Sequence, residues 1–307
     1  MEKIHFLKIE KNRVEFVLEN VGVLFANGIR RTMSADVPTI CIDVVIYEKN
    51  SGTMEEEFIA HRLGLIPWKK RKINVTEIAM IGQECQCDET EFCEKCSIKM
   101  RIDKTGTSSD KYAVLYSGDI VVENESIEPV YHNIPITKLG KYQRVAANIW
   151  AKKCIGRMHQ KWSPVHTSAY NVRPMITLDH QSLKQMDPIK KKKLVKGCHA
   201  RVFSYDENRD FFDIENADQC TYCGECDRKI MKWNMRRVII TDEYRKKEKL
   251  YDNHQHHHRI NDDFHLQDFT FLVESKGSLN CLNVLVQSLD ILSQKFDRLL
   301  KDVKKIV

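Results

Sequence analysis

Apolar and polar residues alternate through IHFLKIEKNRVEFVL, Ile4 to Leu18, with a break at Lys11-Asn12, and so predict two strands around a turn. The period then lengthens. Val21, Leu24, Phe25, Gly28 and Ile29 share one face of a helix predicted over Val21 to Met33, with Asn20 as its N-cap and Asp36-Val37-Pro38 as its stop. Ile40 to Tyr47 reads as strand and Glu55 to Leu63 as a short helix. From Ile73 to Tyr131 the pattern is of short strands and turns, and from Tyr142 to Lys161 it is mixed, ending at Trp162-Ser163-Pro164. Pro188 to Ile240 carries lysines, cysteines and two short β-like stretches. Asp242 to Asp263 is polar, contains His254, His256, His257 and His258, and reads as a solvated loop.

The last segment is the most regular. Phe269 to Val273 is a strand, and Gly277-Ser278 opens a long helix in which Leu282, Leu285, Leu289, Leu292, Phe296, Leu299, Val303 and Ile306 recur at alternating steps of three and four. Such a heptad seam packs one helix against another, in the chain's own core or in a partner; its narrowness points to a partner.

With 307 residues the chain has room for about two domains at roughly 150 residues each. Its 42% hydrophobic and 30% charged residues fit a folded chain and exclude a disordered one. No stretch approaches the roughly 20 apolar residues that span a bilayer. The best candidate, Val37 to Tyr47, carries Asp43, and the charged N-terminus has no signal core, so no membrane role or secretion is expected. The net charge of +6 is too mild to imply nucleic-acid binding, and the basic clusters Lys69–Lys72 and Lys190–Lys193 read as solvated loops.

Eleven cysteines in a chain with no sign of secretion point to metal or buried thiols rather than disulfides. Cys41, Cys154 and Cys281 stand alone and suit small buried positions. Cys85, Cys87, Cys93 and Cys96 form a compact array able to close a tetrahedron around Zn²⁺; four thiolates leave no open position, so the role would be structural. Cys220, Cys223 and Cys226 have the spacing of a bacterial-type iron–sulfur run, with Cys198 where a remote fourth ligand would sit. His199 stands in place of the usual proline after that remote cysteine, and no Cys-Pro follows Cys226, which excludes a second cluster. One [4Fe–4S] cluster, a zinc ion and no metal all remain open for this array.

No phosphate loop, dinucleotide fingerprint, HExxH or nucleophile elbow is present, so no active site of the chain's own is expected. His61 and Arg62 have no nucleophile at motif spacing. A zinc-dependent DNA-reading module is disfavoured too, because the loop from Glu84 to Cys96 carries five acids and one lysine and would repel phosphate. An iron–sulfur redox protein would need a complete cluster and a second cofactor or partner site.

FANGIRRTMSADVPTICID, EEEFIAHRLGLIPW, KKCIGRMHQKWSPV and FTFLVESKGSLN, in this order and spread over nearly the whole chain, resemble the signature of the α-like RNA polymerase subunits. That family comprises the third-largest subunit of eukaryotic polymerase II, its counterpart shared by polymerases I and III, and the archaeal D subunit. The resemblance implies an α+β fold in which a discontinuous α-like dimerisation domain, residues 1–40 plus 265–307, is interrupted twice. A mainly β insert domain with a zinc loop would span 41–164, and a small ferredoxin-like segment with a polar loop 165–264. It also implies a nuclear, non-catalytic scaffold that pairs with a smaller α-like subunit and assembles with the second-largest subunit and two small zinc-binding subunits, without sequence-specific DNA contact. The residues expected at the pairing face are Leu24, Phe25, Ile29, Arg30 and Arg31 of the first helix and Leu282, Leu285, Leu289, Leu292, Phe296, Leu299 and Val303 of the last. The four-cysteine loop resembles the polymerase II member, the I/III counterpart being the alternative.

Overall fold

The computed structural model describes residues 3–71, 85, 87, 92–107, 112–123, 125–174, 176–233, 239–241 and 267–306. The polar His-rich stretch lies outside them. The chain opens with a hairpin of β1 (Lys3–Ile9) and β2 (Arg13–Val21), paired antiparallel from Lys3 opposite Glu19 to Ile9 opposite Val14. Helix α1 (Val23–Ala35) follows. Its N-cap is Gly22 rather than Asn20: β2 runs on to the buried Val21, and Asn20 takes a left-handed φ of 57° within the strand's last turn. Then come β3 (Pro38–Asn50), α2 (Glu56–Gly64), β4 (Trp68–Lys70), β5 (Ser97–Thr105), β6 (Ala113–Tyr116), β7 (Val121–Val122), β8 (Ile127–Pro129), β9 (Pro135–Leu139), β10 (Arg144–Ile155) and β11 (Val165–Val172). After these follow β12 (Ile176–Leu178), α3 (His180–Lys184), α4 (Pro188–Gly197), β13 (Phe203–Asp206), β14 (Phe211–Ile214), α5 (Glu225–Lys232) and β15 (Ile239–Thr241). The chain closes with β16 (Gln267–Ser275) and the 26-residue helix α6 (Cys281–Ile306).

These elements form two compact units, Met1–Asn171 with Phe269–Val307, and Val172–Asp268. Among the described residues the first unit holds two four-stranded sheets, with β4-β8 and β6-β9 as two-stranded pairs beside them. One has the order β1-β2-β16-β11, so strands from opposite ends of the sequence lie side by side and Phe16 stacks on Phe271 with centroids 4.8 Å apart. β11 belongs to this sheet, although the sequence reading begins the third segment at residue 165. Helices α1 and α6 touch one another and both touch β2; Ile29, Met33, Val284 and Leu285 are buried with Phe16, Leu18 and Phe271. The other sheet, β3-β10-β5-β7, packs α2 through Ile59 and Leu63 onto Ile42, Met100, Ile102 and Ile149.

Strand β10 is where the sequence pattern reads as mixed. It pairs with β3 on one side and β5 on the other, and Val145, Ala146, Ala147, Ile149 and Ala151 are all buried. Burial on both faces removes the alternation that marks a half-exposed strand.

The second unit pairs β12 with β15 and β13 with β14 around Leu183, Met186, Leu194, Val202, Phe203, Phe212 and Ile230. Its lysine run is not a loop. Asp187 accepts a hydrogen bond from the Ile189 N–H at 2.8 Å, Pro188 takes the first turn, and the run forms α4. Lys191 is 1% exposed, its Nζ lying 2.7 Å from Asp210 Oδ1. Lys69 and Lys70 likewise lie in β4, where Lys69 pairs with Glu128 at 3.1 Å. Among the described residues no helix is long and apolar enough to cross a membrane.

Candidate metal centre and partner face

Ahead of β5 the chain turns sharply: the Cys96 and Ser97 N–H groups and the Ser97 hydroxyl all donate to the Cys93 carbonyl, at 3.2, 3.0 and 2.9 Å. The turn sets Cys93 and Cys96, and the four sulfurs of Cys85, Cys87, Cys93 and Cys96 lie within 4.8 Å of one another. Neighbouring sulfurs stand 3.3 Å (Cys85–Cys87), 3.7 Å (Cys85–Cys93) and 3.3 Å (Cys93–Cys96) apart. A ZnS₄ tetrahedron with Zn–S of about 2.3 Å has edges of about 3.8 Å, so the donor set fits such an ion with small outward shifts. Hydrogen bonds from Cys96 and then Cys87 bring Cys93 down to about 6, a thiolate at neutral pH, while the hydrogen bond with Cys85 holds Cys87 well above the ordinary thiol range. Deprotonating all four thiols would place four like charges in this small space, which a cation among them would offset.

An aromatic contact that sequence reasoning missed anchors this loop. Phe92 stacks on Trp150 of β10 with centroids 4.5 Å apart and planes 19° from parallel, and Lys152 Nζ lies 5.2 Å from the Phe92 ring.

The second array behaves differently. Cys198, Cys220, Cys223 and Cys226 line one cavity of about 40 Å³ together with Leu194, Val202 and Phe203. That is room for a few waters. Among the described residues these four thiols do not form a group gathered as tightly as the first array. Burial pushes the Cys226 thiol up to about 11 and raises Cys220 as well, so both are neutral.

The predicted pairing residues separate into two sets. Ile29 and Leu285 are buried in this chain's own core. Leu282, Leu289 and Leu292 are half-buried. Leu24 is 70% exposed, and Phe25, Phe296, Leu299 and Val303 are exposed with it. Arg30 is held along α1 by Asn27 Oδ1, which accepts from its Nε at 3.1 Å and Nη2 at 3.0 Å, and Arg31 is exposed. Val23, Leu300 and the β1 residues Ile4, Phe6, Leu7 and Ile9 are also exposed and went unpredicted. β1 alternates well enough to read as a strand, but nothing in its pattern marks it as an uncovered edge. Elsewhere Arg62 donates to the Ile136 carbonyl at 2.7 Å, a structural tie, and His61 is exposed.

Residues 44–179 match the RNA polymerase Rpb3/RpoA insert domain. The chain is similar to the DNA-directed RNA polymerase II subunit rpb3 of Dictyostelium discoideum, 29% identical over 95% of this chain and 92% of that one. It is also similar to the Rpo3 subunit of the DNA-directed RNA polymerase of Methanosphaera stadtmanae, 27% identical over 96% of each. The RNA polymerase II subunit RPB3 of Schizosaccharomyces pombe is 36% identical over 56% of this chain and 60% of that one.

Proposed function

We infer that the chain is an α-like subunit of a DNA-directed RNA polymerase and works as a non-catalytic scaffold of the nuclear polymerase II. It pairs with the smaller α-like subunit, and the pair assembles with the second-largest subunit and two small zinc-binding subunits. The observation that carries this reading is the apolar surface left open by the sheet's own helices: Leu24 and Phe25 on α1 and Phe296, Leu299, Leu300 and Val303 on α6. Side chains of this kind contribute roughly 1.5–3 kcal/mol each when fully buried, far more than surface ion pairs. A partner with matching helices would bury them together. The four-cysteine loop favours polymerase II over the counterpart shared by polymerases I and III.

Cys85, Cys87, Cys93 and Cys96 would hold a zinc ion that staples the loop and supplies structural rigidity only, since four thiolates leave no position for water or substrate. We read the second array as holding no iron–sulfur cluster, because its four thiols line a small cavity of about 40 Å³ and are not gathered as the first array's are.

The test is co-expression with the smaller α-like subunit, purified anaerobically and followed by metal analysis and a visible spectrum. The expected result is a 1:1 complex with one zinc per chain and no absorbance near 400 nm. Leu289→Asp or Phe296→Asp should leave the two chains unpaired. Unchanged co-elution of both variants would overturn the scaffold reading, and about four irons per chain would overturn the reading of the second array.

A further inference from the structure

Three separate stretches of the first unit meet at one carboxylate. Asp36 caps the C-terminus of α1, its N–H donating to the Thr32 carbonyl at 3.0 Å. Its side chain is only 9% exposed. Arg157, just beyond β10, reaches Oδ1 with Nη2 at 2.6 Å, and Lys295 of α6 reaches Oδ2 with Nζ at 2.6 Å. The Arg157 N–H also donates to the Ala35 carbonyl at 2.9 Å. Gly156 makes that approach feasible, because a Cβ there would sit 2.2 Å from the Ser34 carbonyl oxygen.

The place of Lys295 along α6 gives this junction its meaning. On its N-terminal side Cys281, Val284, Leu285 and Ser288 are buried and Leu289 and Leu292 half-buried. On its C-terminal side Phe296, Leu299, Leu300 and Val303 are exposed. Lys295 thus marks the end of the part of the helix that the chain's own core holds and the start of an arm of about three turns, at 3.6 residues per turn, that presents apolar side chains outward.

We propose that Asp36 is a positioning residue: by gripping Lys295 on one oxygen and Arg157 on the other, it fixes the direction of the α6 arm relative to α1 and the end of β10, and so presents the arm to the smaller α-like subunit. The proposal rests on the pairing reading above. One carboxylate serves both cations, so the grip joins the insert's last long strand to the pairing helix. Arg157 and Lys295 are 64% and 42% exposed, so salt weakens the grip while leaving the apolar surface intact.

The experiment compares Lys295→Met, which keeps most of the aliphatic stem, with Lys295→Arg, in the full chain alone and co-expressed with the smaller α-like subunit. Hydrogen exchange is measured over residues 296–306 and pairing affinity by titration at low and high salt. In Lys295→Met we expect faster exchange confined to the arm, pairing weakened by about tenfold and a flatter salt dependence; Lys295→Arg should restore all three. Unchanged exchange over the arm together with affinity within about twofold of the parent would overturn the proposal. Normal pairing by Phe296→Asp, with faster arm exchange in Lys295→Met, would instead remove the pairing reading and leave the grip as an internal device.

Discussion

Cys93 and its three companions were legible because metal ligands advertise themselves by identity and spacing within a dozen residues. Phe92 and Trp150 were not, because their contact joins a loop to a strand far along the chain and neither residue type in isolation signals it. The stack nevertheless ties Phe92, next to Cys93, to β10. An aromatic pair worth about 0.5–1.5 kcal/mol should, when removed by Phe92→Ala, speed zinc loss to a chelator roughly two- to tenfold. A colorimetric chelator assay reads this directly; unchanged release would show that the loop holds the ion without the sheet. Gly156 makes the second residue-scale case. Nothing in KKCIGRMHQKWSPV reveals that a backbone carbonyl from another segment lies against it. Gly156→Ala should cost about 1–3 kcal/mol, since a main-chain oxygen cannot swing aside as a side chain would, and a lower urea midpoint would register it.

At the scale of elements, the heptad seam of α6 was readable from spacing, but not the place where it changes owner. Leu285 and Leu299 occupy equivalent positions in the repeat, yet one is in the chain's core and the other is 60% exposed. Periodicity reports that a face is apolar and says nothing about which surface meets it. The same blindness applies to the first helix, where Ile29 is buried and Leu24 exposed although both were assigned to one face. The two halves of α6 should therefore respond oppositely to substitution. Leu285→Ala should destabilise the isolated chain by about 2–5 kcal/mol through the cavity it opens. Leu299→Ser should leave the melting temperature of the isolated chain within a degree or so and lower only the stability of the pair, since an exposed position lacks any of the mechanisms behind large effects. Thermal melts with and without the smaller subunit separate these outcomes. Helix α4 shows the opposite failure: its Asp187-Pro188 start was present in the sequence, but five closely spaced lysines masked it, one of them buried against Asp210.

For the whole molecule, the architecture follows from where the chain leaves and re-enters its first sheet. β11 and β16 are hydrogen-bonded neighbours, and just beyond them the Arg173 N–H donates to the Asp268 carbonyl at 2.7 Å. The unit spanning Val172–Asp268 is thus inserted at two points that already touch, and it has a hydrophobic core of its own. The discontinuous domain was legible only through the resemblance of the four ordered motifs to the α-like subunits, with which the strand-and-helix patterns at the two ends of the sequence agree. The closeness of the insertion points was invisible, since no local pattern encodes a hydrogen bond between residues that far apart. It carries a consequence for stability. Closing a loop between ends already in contact costs little more when the loop is shortened or replaced, because loop entropy varies only slowly with length. Replacing residues 175–266 with about four Gly and Ser residues, a usual length for a short connection, should leave the sheet β1-β2-β16-β11, the cysteine loop and the α6 arm in place. The shortened chain should unfold cooperatively, retain one zinc and pair with the smaller α-like subunit within about threefold of the parent affinity, a change below 1 kcal/mol. An insoluble product, or one that folds but no longer pairs, would mean that the first unit needs the inserted one in order to fold or to pair.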